Sequence, residues 1–296
     1  MEHKTRAGDA NFITREYFDS LLIEMRHIDS VIPDTALNLY GETFNTPVMT
    51  AALSHLNKYH DDGMVEMARG AKKANAVMWT GMGDYAELER ITATGAKTIK
   101  IIKPYADNKI IFSKIEHAEK FGCIAVGIDV DHSFGGNGEY DVVLGMPMKS
   151  KSVSEISQFV KSTKLPFIIK GVLSKQDALK CIDMGIRGIV VSHHHGILDY
   201  ATPPLMILPE IVKTIDGKMP VFVDCGVESG SDVFKAMALG ATAVSVGRAM
   251  MGPLTEKGAD GVAEKVREIT AQLAGVMART CSPDVSHIDS SVIWRR

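Results

Sequence analysis

A rhythm of short apolar runs constrains the fold of this chain more than any other feature of its sequence. From residue 47 onward, eight runs rich in β-branched residues alternate with segments whose apolar residues recur at helical spacing. The runs are residues 47–53, 76–80, 98–102, 125–130, 166–172, 188–192, 220–223 and 243–246. Buried strands that alternate with amphipathic helices are typical of βαβ units in a parallel sheet. The pattern therefore predicts an α/β fold of the (β/α)8, or TIM-barrel, type.

The segments between the runs supply the predicted helices. They span about residues 61–74, 85–93, 109–121, 152–161, 174–184, 204–215, 230–239 and 260–279. Ser152 and Ser174 stand where N-caps are expected, and Gly185 and Gly240 stand where helices commonly end. A doubly wound open sheet is the structural alternative. Such a sheet usually has a glycine-rich first βα turn, and none follows Leu53.

The repeating pattern leaves out the first 45 residues, which we predict to be an N-terminal extension packed on a single barrel domain of residues 46–296. Residues 15–26 have helical spacing, and residues 38–44 indicate a short hairpin or loop. The connection at residues 132–150 is glycine-rich and too long for a plain βα turn. It predicts a mobile lid or substrate loop over the carboxyl face of the barrel, with a surface excursion as the alternative.

Composition narrows the class of protein. A formal net charge of −3 gives no indication of a nucleic-acid or membrane surface. The four cysteines form no CxxC pair, which disfavours a disulfide framework and a zinc ribbon. The sequence shows no secretory signal and no apolar stretch of the roughly 20 residues that a transmembrane helix needs. We expect a cytoplasmic protein that binds a small-molecule substrate, without nucleic acid or membrane.

The sixth strand ends in a histidine cluster, Ser192-His193-His194-His195-Gly196. Imidazole is the side chain best suited to moving protons near neutral pH. The carboxyl ends of barrel strands are also where active sites lie. The cluster therefore indicates a catalytic site, with a chance polar turn or a metal-binding histidine cluster as alternatives.

Further polar residues follow the other strands and would lie on the same face. They are Thr80, Lys103, Asp129, Asp131, Lys170, Asp224, Gly247 and Arg248. Lys170 ends an apolar run, so its ammonium needs an anionic partner or a depressed pKa. It could be a Schiff-base nucleophile or could neutralise a bound anion. The alternative is a lysine that reaches solvent from the barrel rim.

Two glycine-bearing turns follow strands 7 and 8, at residues 223–230 and 245–248. Barrels commonly bind phosphate at this position through backbone N–H groups and a helix N-terminus. Glycine lets the backbone approach the phosphate, and Arg248 could hold it bidentately. Together the two turns predict a phosphate site.

These motifs resemble the FMN-dependent α-hydroxy acid oxidase and dehydrogenase family, which includes glycolate oxidase and lactate oxidase. The resemblance is strongest from residue 166 to the end and looser in the N-terminal half. It rests on Lys170-Gly171-Val172, Leu198-Asp199 and residues 188–194, 220–227, 230–236, 239–241 and 246–248. The family implies FMN as cofactor and a homo-oligomer, a tetramer.

The resemblance also implies cofactor contacts. Lys170 would lie near N1 and the C2 carbonyl of the flavin and would favour its anionic reduced form. The other contacts would be Ala51, Ala52, Leu53, Thr80 and Ser192 at the ring, Asp224 at the ribityl chain, and Gly226, Gly247 and Arg248 at the phosphate.

The family's active-site histidine falls two residues after the serine, which gives His194, whereas counting from the glycine gives His195. We prefer His194, because the strand register from Ser192 is the harder constraint. Asp131 matches the aspartate that supports the histidine. Since strand side chains alternate, His193 should point to the other side of the strand and matter less for catalysis.

The sequence also departs from the family pattern. No arginine stands between Gly196 and Leu198, and neither Lys nor Arg occurs from residue 132 to 148, so the arginines that hold the substrate carboxylate are missing. Lys103 replaces a family tyrosine, and Glu228 replaces a phosphate-binding arginine. Lys103 or a neighbouring histidine, His193, would then contact the substrate. We expect glycolate and lactate to be poor substrates.

We interpret the chain as an FMN-dependent oxidoreductase that oxidises a small hydroxy acid or a related hydroxylated substrate, with a histidine base and hydride transfer to flavin N5. One alternative is a non-redox flavin-dependent isomerase, and another is a flavin-binding protein without turnover. A third is a flavin-free enzyme whose metal is held by His193, His195 and Asp129 or Asp131.

Overall fold

A computed structural model of the chain describes residues 7–296, and a closed parallel barrel forms its centre. This confirms the predicted (β/α)8 fold. The barrel strands are Val48–Thr50, Met78–Thr80, Thr98–Ile102, Ala125–Asp129, Phe167–Val172, Gly188–Val191, Val221–Val223 and Ala243–Val246. All of them coincide with predicted apolar runs and differ from them only at the ends.

The strands follow one another in chain order around the barrel. The eighth strand pairs with the first, with Ser245 opposite Met49. Between the first and second strands, a bridge joins Leu53 to Thr80, and the Gly81 N–H donates to the Leu53 carbonyl at 2.7 Å. Because every strand runs in the same direction, the carboxyl ends all meet at one face.

The helices surround the barrel. They are Gly63–Ala74, Tyr85–Ala93, Asn108–Lys120, Val153–Lys161, Lys175–Asp183, Pro204–Ile215, Gly230–Ala238 and Met251–Ala278, with short 3-10 turns at Leu56–Lys58, Arg248–Met250 and Ser290–Val292. Ser152 and Ser174 cap their helices as predicted. The last helix begins earlier than predicted, at Met251, and is interrupted at Gly258 (φ 54°). Within residues 7–296, no helix combines the length and apolarity needed to cross a membrane.

The barrel interior is packed with apolar side chains. Trp79 and Phe222 meet there edge to face, with ring centroids 5.3 Å apart. An antiparallel hairpin, Leu37–Leu39 with Glu42–Phe44, adds its apolar side chains to the same interior cluster. Of the hairpin or loop expected at residues 38–44, the structure has the hairpin, and its buried side chains extend the interior core.

The N-terminal segment differs from its prediction. The helix spans Ala10–Ser20, with Asp9 as its N-cap. It does not continue to residue 26, because Leu21–Ile23 forms a strand antiparallel to Ile293–Arg295. The helical spacing of residues 15–26 was therefore misleading beyond Ser20. The domain boundary at residues 45 and 46 stays a prediction.

The long connection at residues 132–150 contains a small hairpin of its own, Val142–Val143 with Met146–Pro147. It is tied to the barrel by a bridge between Tyr105 and Met148. Phe134 and Tyr140 stack within it, with centroids 5.1 Å apart. Its movement as a lid stays a prediction.

Candidate functional site

The carboxyl ends of the strands surround a cavity of about 350 Å³. Most predicted site residues line it: Ala51, Ala52, Leu53, Lys170, His194, His195, Asp224, Gly226, Gly247 and Arg248. A larger open groove, about 850 Å³, is lined by residues such as Leu37 and Thr242 and by no predicted site residue. Since barrel active sites form at the carboxyl face, the smaller cavity is the candidate active site.

The turn after the sixth strand presents His194 to this cavity. His194, His195 and Gly196 have φ values of 48°, 57° and 78°, in the left-handed region that non-glycine residues rarely adopt. Hydrogen bonds hold the turn: His194 N–H donates to Ser192 Oγ at 3.1 Å, and Gly196 N–H donates to the His193 carbonyl at 3.0 Å. The surrounding structure therefore fixes an unfavourable backbone, as is common at functional sites.

Two carboxylates orient the ring of His194. Its Nδ1 atom lies 2.8 Å from Asp131 Oδ1 and 3.3 Å from Asp129 Oδ1. Asp131 packs against Gly171 (φ 96°), where a Cβ would come within 2.5 Å of the carboxyl carbon, so a side chain there would displace it. Because Asp131 Oδ1 accepts from Nδ1–H, the neutral ring keeps its lone pair on Nε2, which lies 3.5 Å from Lys103 Nζ.

Asp129 is buried between two lysines. Its Oδ2 atom is 2.7 Å from Lys103 Nζ, and its Oδ1 atom is 3.6 Å from Lys170 Nζ. Lys170 also lies 3.5 Å from Asp224 Oδ2 and 3.3 Å from Ser192 Oγ. Lys170 thus has the anionic partners that the sequence requires, and at 5% exposure it is not a lysine reaching solvent from the rim.

Burial and these charges set the protonation states. Burial opposes ionisation of Asp129, but the Lys170 and His194 charges hold the pKa of Asp129 well below its usual value. Burial also opposes the charge of Lys170, yet Asp129 and Asp224 raise its pKa well above the usual value. The two carboxylates therefore favour the protonated form of Lys170, which does not suit a Schiff-base nucleophile.

The surroundings raise the pKa values of both His194 and Asp131. Burial lowers the pKa of His194, but hydrogen bonds to Asp129 and Asp131 outweigh it and raise the pKa above 6.5. Burial and the Asp129 charge raise the pKa of Asp131 to about 6. Both groups thus have raised pKa values, and perturbed pKa values are common at proton-transfer sites.

His193 does not reach the cavity. Its ring is buried on the other side, with Nε2 2.7 Å from Thr14 Oγ1 and Nδ1 accepting from Gly196 N–H at 3.0 Å. Both ring nitrogens are engaged, so His193 fits neither the substrate contact nor the metal ligand suggested by the sequence. The alternation of strand side chains explains its direction.

His195 lines the cavity but lacks the support that His194 has. Within residues 7–296, no carboxylate lies within hydrogen-bond distance of its ring, and its pKa is lowered by burial and by the nearby Arg248 charge. The geometry therefore favours His194 over His195 as the base.

The cavity also fits FMN. Arg248 is exposed, forms no ion pair with any residue the structure describes, and follows Gly247 in the wall. Lys170 supplies a second cation, and Ala51, Ala52 and Leu53 supply an apolar lining. The buried Thr80 hydroxyl has no partner within residues 7–296. A phosphate, a polar ring edge and a planar apolar ring are the groups that such a donor set would hold.

A metal centre fits less well. Asp129, Asp131 and His194 offer ligand atoms within 4.8 Å of one another, which is not the set that the sequence suggested. Carboxylate and imidazole suit Zn or Fe. However, the Lys103 and Lys170 ammonium groups lie within 3.6 Å of the Asp129 oxygens, where they repel a cation.

Sequence reasoning gave Asp129 no role in the flavin site and missed His132. The parallel register places Asp129 beside Lys170, so counting residues along the fourth and fifth strands could have found this pair. The His132 ring packs edge-on against His194, with centroids 4.8 Å apart, and its Nδ1 atom is 2.9 Å from Asp141 Oδ2. No sequence signal pointed to that contact.

Comparison with known proteins identifies the family. The model of the FMN-dependent dehydrogenase family matches residues 4–155 and 148–295. Glycolate oxidase 1 of Zea mays is 30% identical over 305 residues, which cover 88% of this chain and 82% of the maize protein. The 4-hydroxymandelate oxidase of Amycolatopsis orientalis is 30% identical over 277 residues, covering 82% and 78%. A mutant mandelate oxidase solved with the monooxide FMN adduct superposes with a TM-score of 0.89 at 26% identity, covering 99% of this chain and 93% of that chain. The chain belongs to the FMN-dependent dehydrogenase family.

Proposed function

We propose that this protein is an FMN-dependent oxidoreductase that oxidises a small hydroxy acid, or a related hydroxylated substrate, to the corresponding oxo compound. The observation that carries the proposal is His194, oriented by Asp131 at 2.8 Å, in a cavity that also contains Lys170 and Arg248. Relatives named glycolate oxidase and 4-hydroxymandelate oxidase support the substrate class.

His194 is the base in this proposal. Its Nε2 atom takes the proton of the substrate hydroxyl, since Nδ1 is held by the carboxylates. The imidazolium that forms is stabilised by the same two carboxylates. Bound FMN supplies the acceptor for the hydride that leaves the substrate carbon. The proton taken by His194 and the hydride that FMN would accept together account for the two electrons and two hydrogens removed from the substrate.

Lys170 supplies a fixed positive charge at the cavity wall. Its pairing with Asp129 and Asp224 keeps it protonated. A buried cation favours negative charge developing nearby, and this effect is large where water is excluded. Lys170 would therefore stabilise the reduced state of the cofactor.

Lys103 is the proposed anion partner for the substrate. Its Nζ atom lies 3.5 Å from His194 Nε2, so a carboxylate held there would stand beside the base. The same ammonium already pairs with Asp129 at 2.7 Å. Because its charge is shared, Lys103 would hold a carboxylate less firmly than an unpaired arginine would.

The protein is also proposed to be a homo-oligomer, with a tetramer implied by the family resemblance. Met25, Ile28, Val31 and Ile32 are exposed apolar residues close together in the chain. Leu22 and Trp294, both exposed, are cross-strand neighbours. Exposed apolar side chains in such a concentration are typical of a surface that is covered by another copy.

An anaerobic reduction experiment tests the function. FMN-loaded protein is mixed with glycolate, L-lactate, (S)-mandelate or (S)-mandelamide, and loss of the oxidised flavin absorbance and formation of the oxo product are measured. At least one compound should reduce the flavin and form a stoichiometric amount of oxo product. Bound FMN that none of these compounds reduces would contradict the proposal and favour the isomerase alternative.

The Lys103→Met variant tests the anion partner. It should slow flavin reduction by (S)-mandelate more than reduction by (S)-mandelamide, because (S)-mandelamide has no carboxylate.

A further inference from the structure

We propose that Thr14 and His193 form a positioning pair that fixes the turn carrying His194. His193 would thus serve the reaction without touching the substrate. The inference rests on the proposed role of His194. It assigns a purpose to a buried histidine that the oxidation chemistry leaves unused, and to a helix that lies outside the barrel repeat.

The hydrogen bonds determine which nitrogen of His193 carries the proton. Gly196 N–H donates to Nδ1 at 3.0 Å, so Nδ1 must offer a lone pair. The proton of the neutral ring is then on Nε2, which donates to Thr14 Oγ1 at 2.7 Å. His193 and Thr14 are 2% and 1% exposed, so water does not replace either partner.

Both the backbone carbonyl and the side-chain ring of His193 hold the turn. Its carbonyl accepts from Gly196 N–H at 3.0 Å and from Ile197 N–H at 3.1 Å, while its ring accepts from the same Gly196 N–H. The intervening residues, His194 and His195, are the two non-glycine residues of this turn with positive φ. An unfavourable backbone persists only where the surroundings hold it, and the ring and carbonyl of His193 accept three of the hydrogen bonds that do so.

The N-terminal helix anchors the pair from outside. Thr14 lies in the helix Ala10–Ser20. From the same helix, Asn11 Nδ2 donates to the His195 carbonyl at 3.0 Å, and Arg15 donates to the Gly226 carbonyl at 3.2 Å. The helix thereby joins the histidine turn to the glycine turn of the phosphate end, so that both face one cavity.

Burial keeps the ring neutral. The pKa of His193 is lowered by burial, and the charged groups that act on it are Asp224, His195 and Lys170. A neutral ring with one donor and one acceptor is the form that satisfies Thr14 and Gly196 together.

Thr14→Val tests the pair, because it keeps the shape of the side chain and removes the hydroxyl. A misplacement of about 1 Å can cost on the order of 100-fold in rate, so we expect kcat to fall by about 10- to 100-fold with little change in KM. Thr14→Ser should restore the rate. The matched control is Thr46→Val, which removes an equally buried hydroxyl that bonds to Thr270 at 2.7 Å and accepts from Val48 N–H at 3.1 Å, away from the turn. It should cost similar thermal stability and leave kcat unchanged. Equal losses of kcat in Thr14→Val and Thr46→Val would overturn the proposal.

Histidine ¹⁵N NMR tests the pair independently of turnover, so it separates a failed positioning pair from a failed function. The His193 signals are identified as those that disappear in His193→Gln. In the wild type they should show a neutral ring protonated on Nε2, and they should not change over the pH range in which exposed histidines titrate. In Thr14→Val, the signals of His194 should shift, and in Thr46→Val they should not. A His193 ring that titrates normally, or His194 signals unmoved by Thr14→Val, would overturn the proposal even if the enzyme oxidises hydroxy acids.

Discussion

The Nδ1 atom of His194 lies 2.8 Å from Oδ1 of Asp131, across the carboxyl face of the barrel. This contact leaves the Nε2 atom of the ring as the site of proton uptake. Asp129 approaches the same Nδ1 atom at 3.3 Å and is itself held by two lysines. The proton affinity of the base is therefore set by a buried network of charges.

The pH dependence of kcat/KM should follow His194. The neutral ring is the base, so the rate should fall as pH decreases through its pKa, which lies above 6.5. Asp131→Asn removes a carboxylate that raises this pKa, and the midpoint should move to lower pH. The control is Asp141→Asn, because Asp141 contacts His132 instead. A midpoint that stays in place or rises in Asp131→Asn would contradict this account.

Removal of Lys170 should destabilise the fold. Lys170→Met leaves Asp224 without its cation and Asp129 with Lys103 alone, and breaking a buried ion pair costs about 3–5 kcal/mol. Lys235→Met is the control, since this buried lysine donates to the Phe18 carbonyl at 2.8 Å and forms no ion pair within residues 7–296. Urea unfolding should show a larger loss for Lys170→Met. Equal losses of unfolding free energy in the two variants would mean that the ion pairs of Lys170 contribute little to stability.

The same Lys170→Met variant, loaded with FMN, should also show a lower flavin reduction potential, because it loses a cation that favours the reduced anionic form. Lys235→Met should keep the wild-type potential. A Lys170→Met protein that binds FMN with an unchanged potential would refute the role of Lys170 at the cofactor.

Arg248 should contribute to FMN affinity. Arg248→Ala removes the cation proposed for the phosphate, and a charge-assisted contact is worth about 1.5–3 kcal/mol. The dissociation constant of FMN, measured by flavin fluorescence, should rise accordingly. Arg69→Ala removes an exposed arginine paired with Glu66 and should leave the constant unchanged. An unchanged FMN dissociation constant in Arg248→Ala would mean that the phosphate does not bind at Arg248.

The barrel could be predicted from the sequence because each strand and helix carries its own periodic signal. Local signals failed where a partner distant in the chain decides the structure. Residues 15–26 have helical spacing, but Leu21–Ile23 pairs with Ile293–Arg295 and leaves the helix at Ser20. The apolar spacing of the N-terminal residues does not indicate pairing with this C-terminal strand.

The site residues likewise include some that local sequence signals predict and some that depend on distant partners. His194, Lys170 and Arg248 could be predicted, because each lies close to the carboxyl end of a barrel strand. The contacts of Thr14 and His132 could not be predicted, because they depend on how a helix and a loop outside the strand–helix repeat pack on the carboxyl face of the barrel. His193 shows both cases: its direction follows from strand alternation, and its partner does not.

Anaerobic stopped-flow reduction of bound FMN tests the central claim most directly. The wild type, His194→Ala and His195→Ala are compared with whichever hydroxy compound reduces the wild type. A positioned base typically contributes about 10²–10⁴-fold, so His194→Ala should lose that much of the reduction rate while keeping its FMN, and His195→Ala should lose far less. A His194→Ala protein that reduces FMN at the wild-type rate would contradict the claim that His194 is the base.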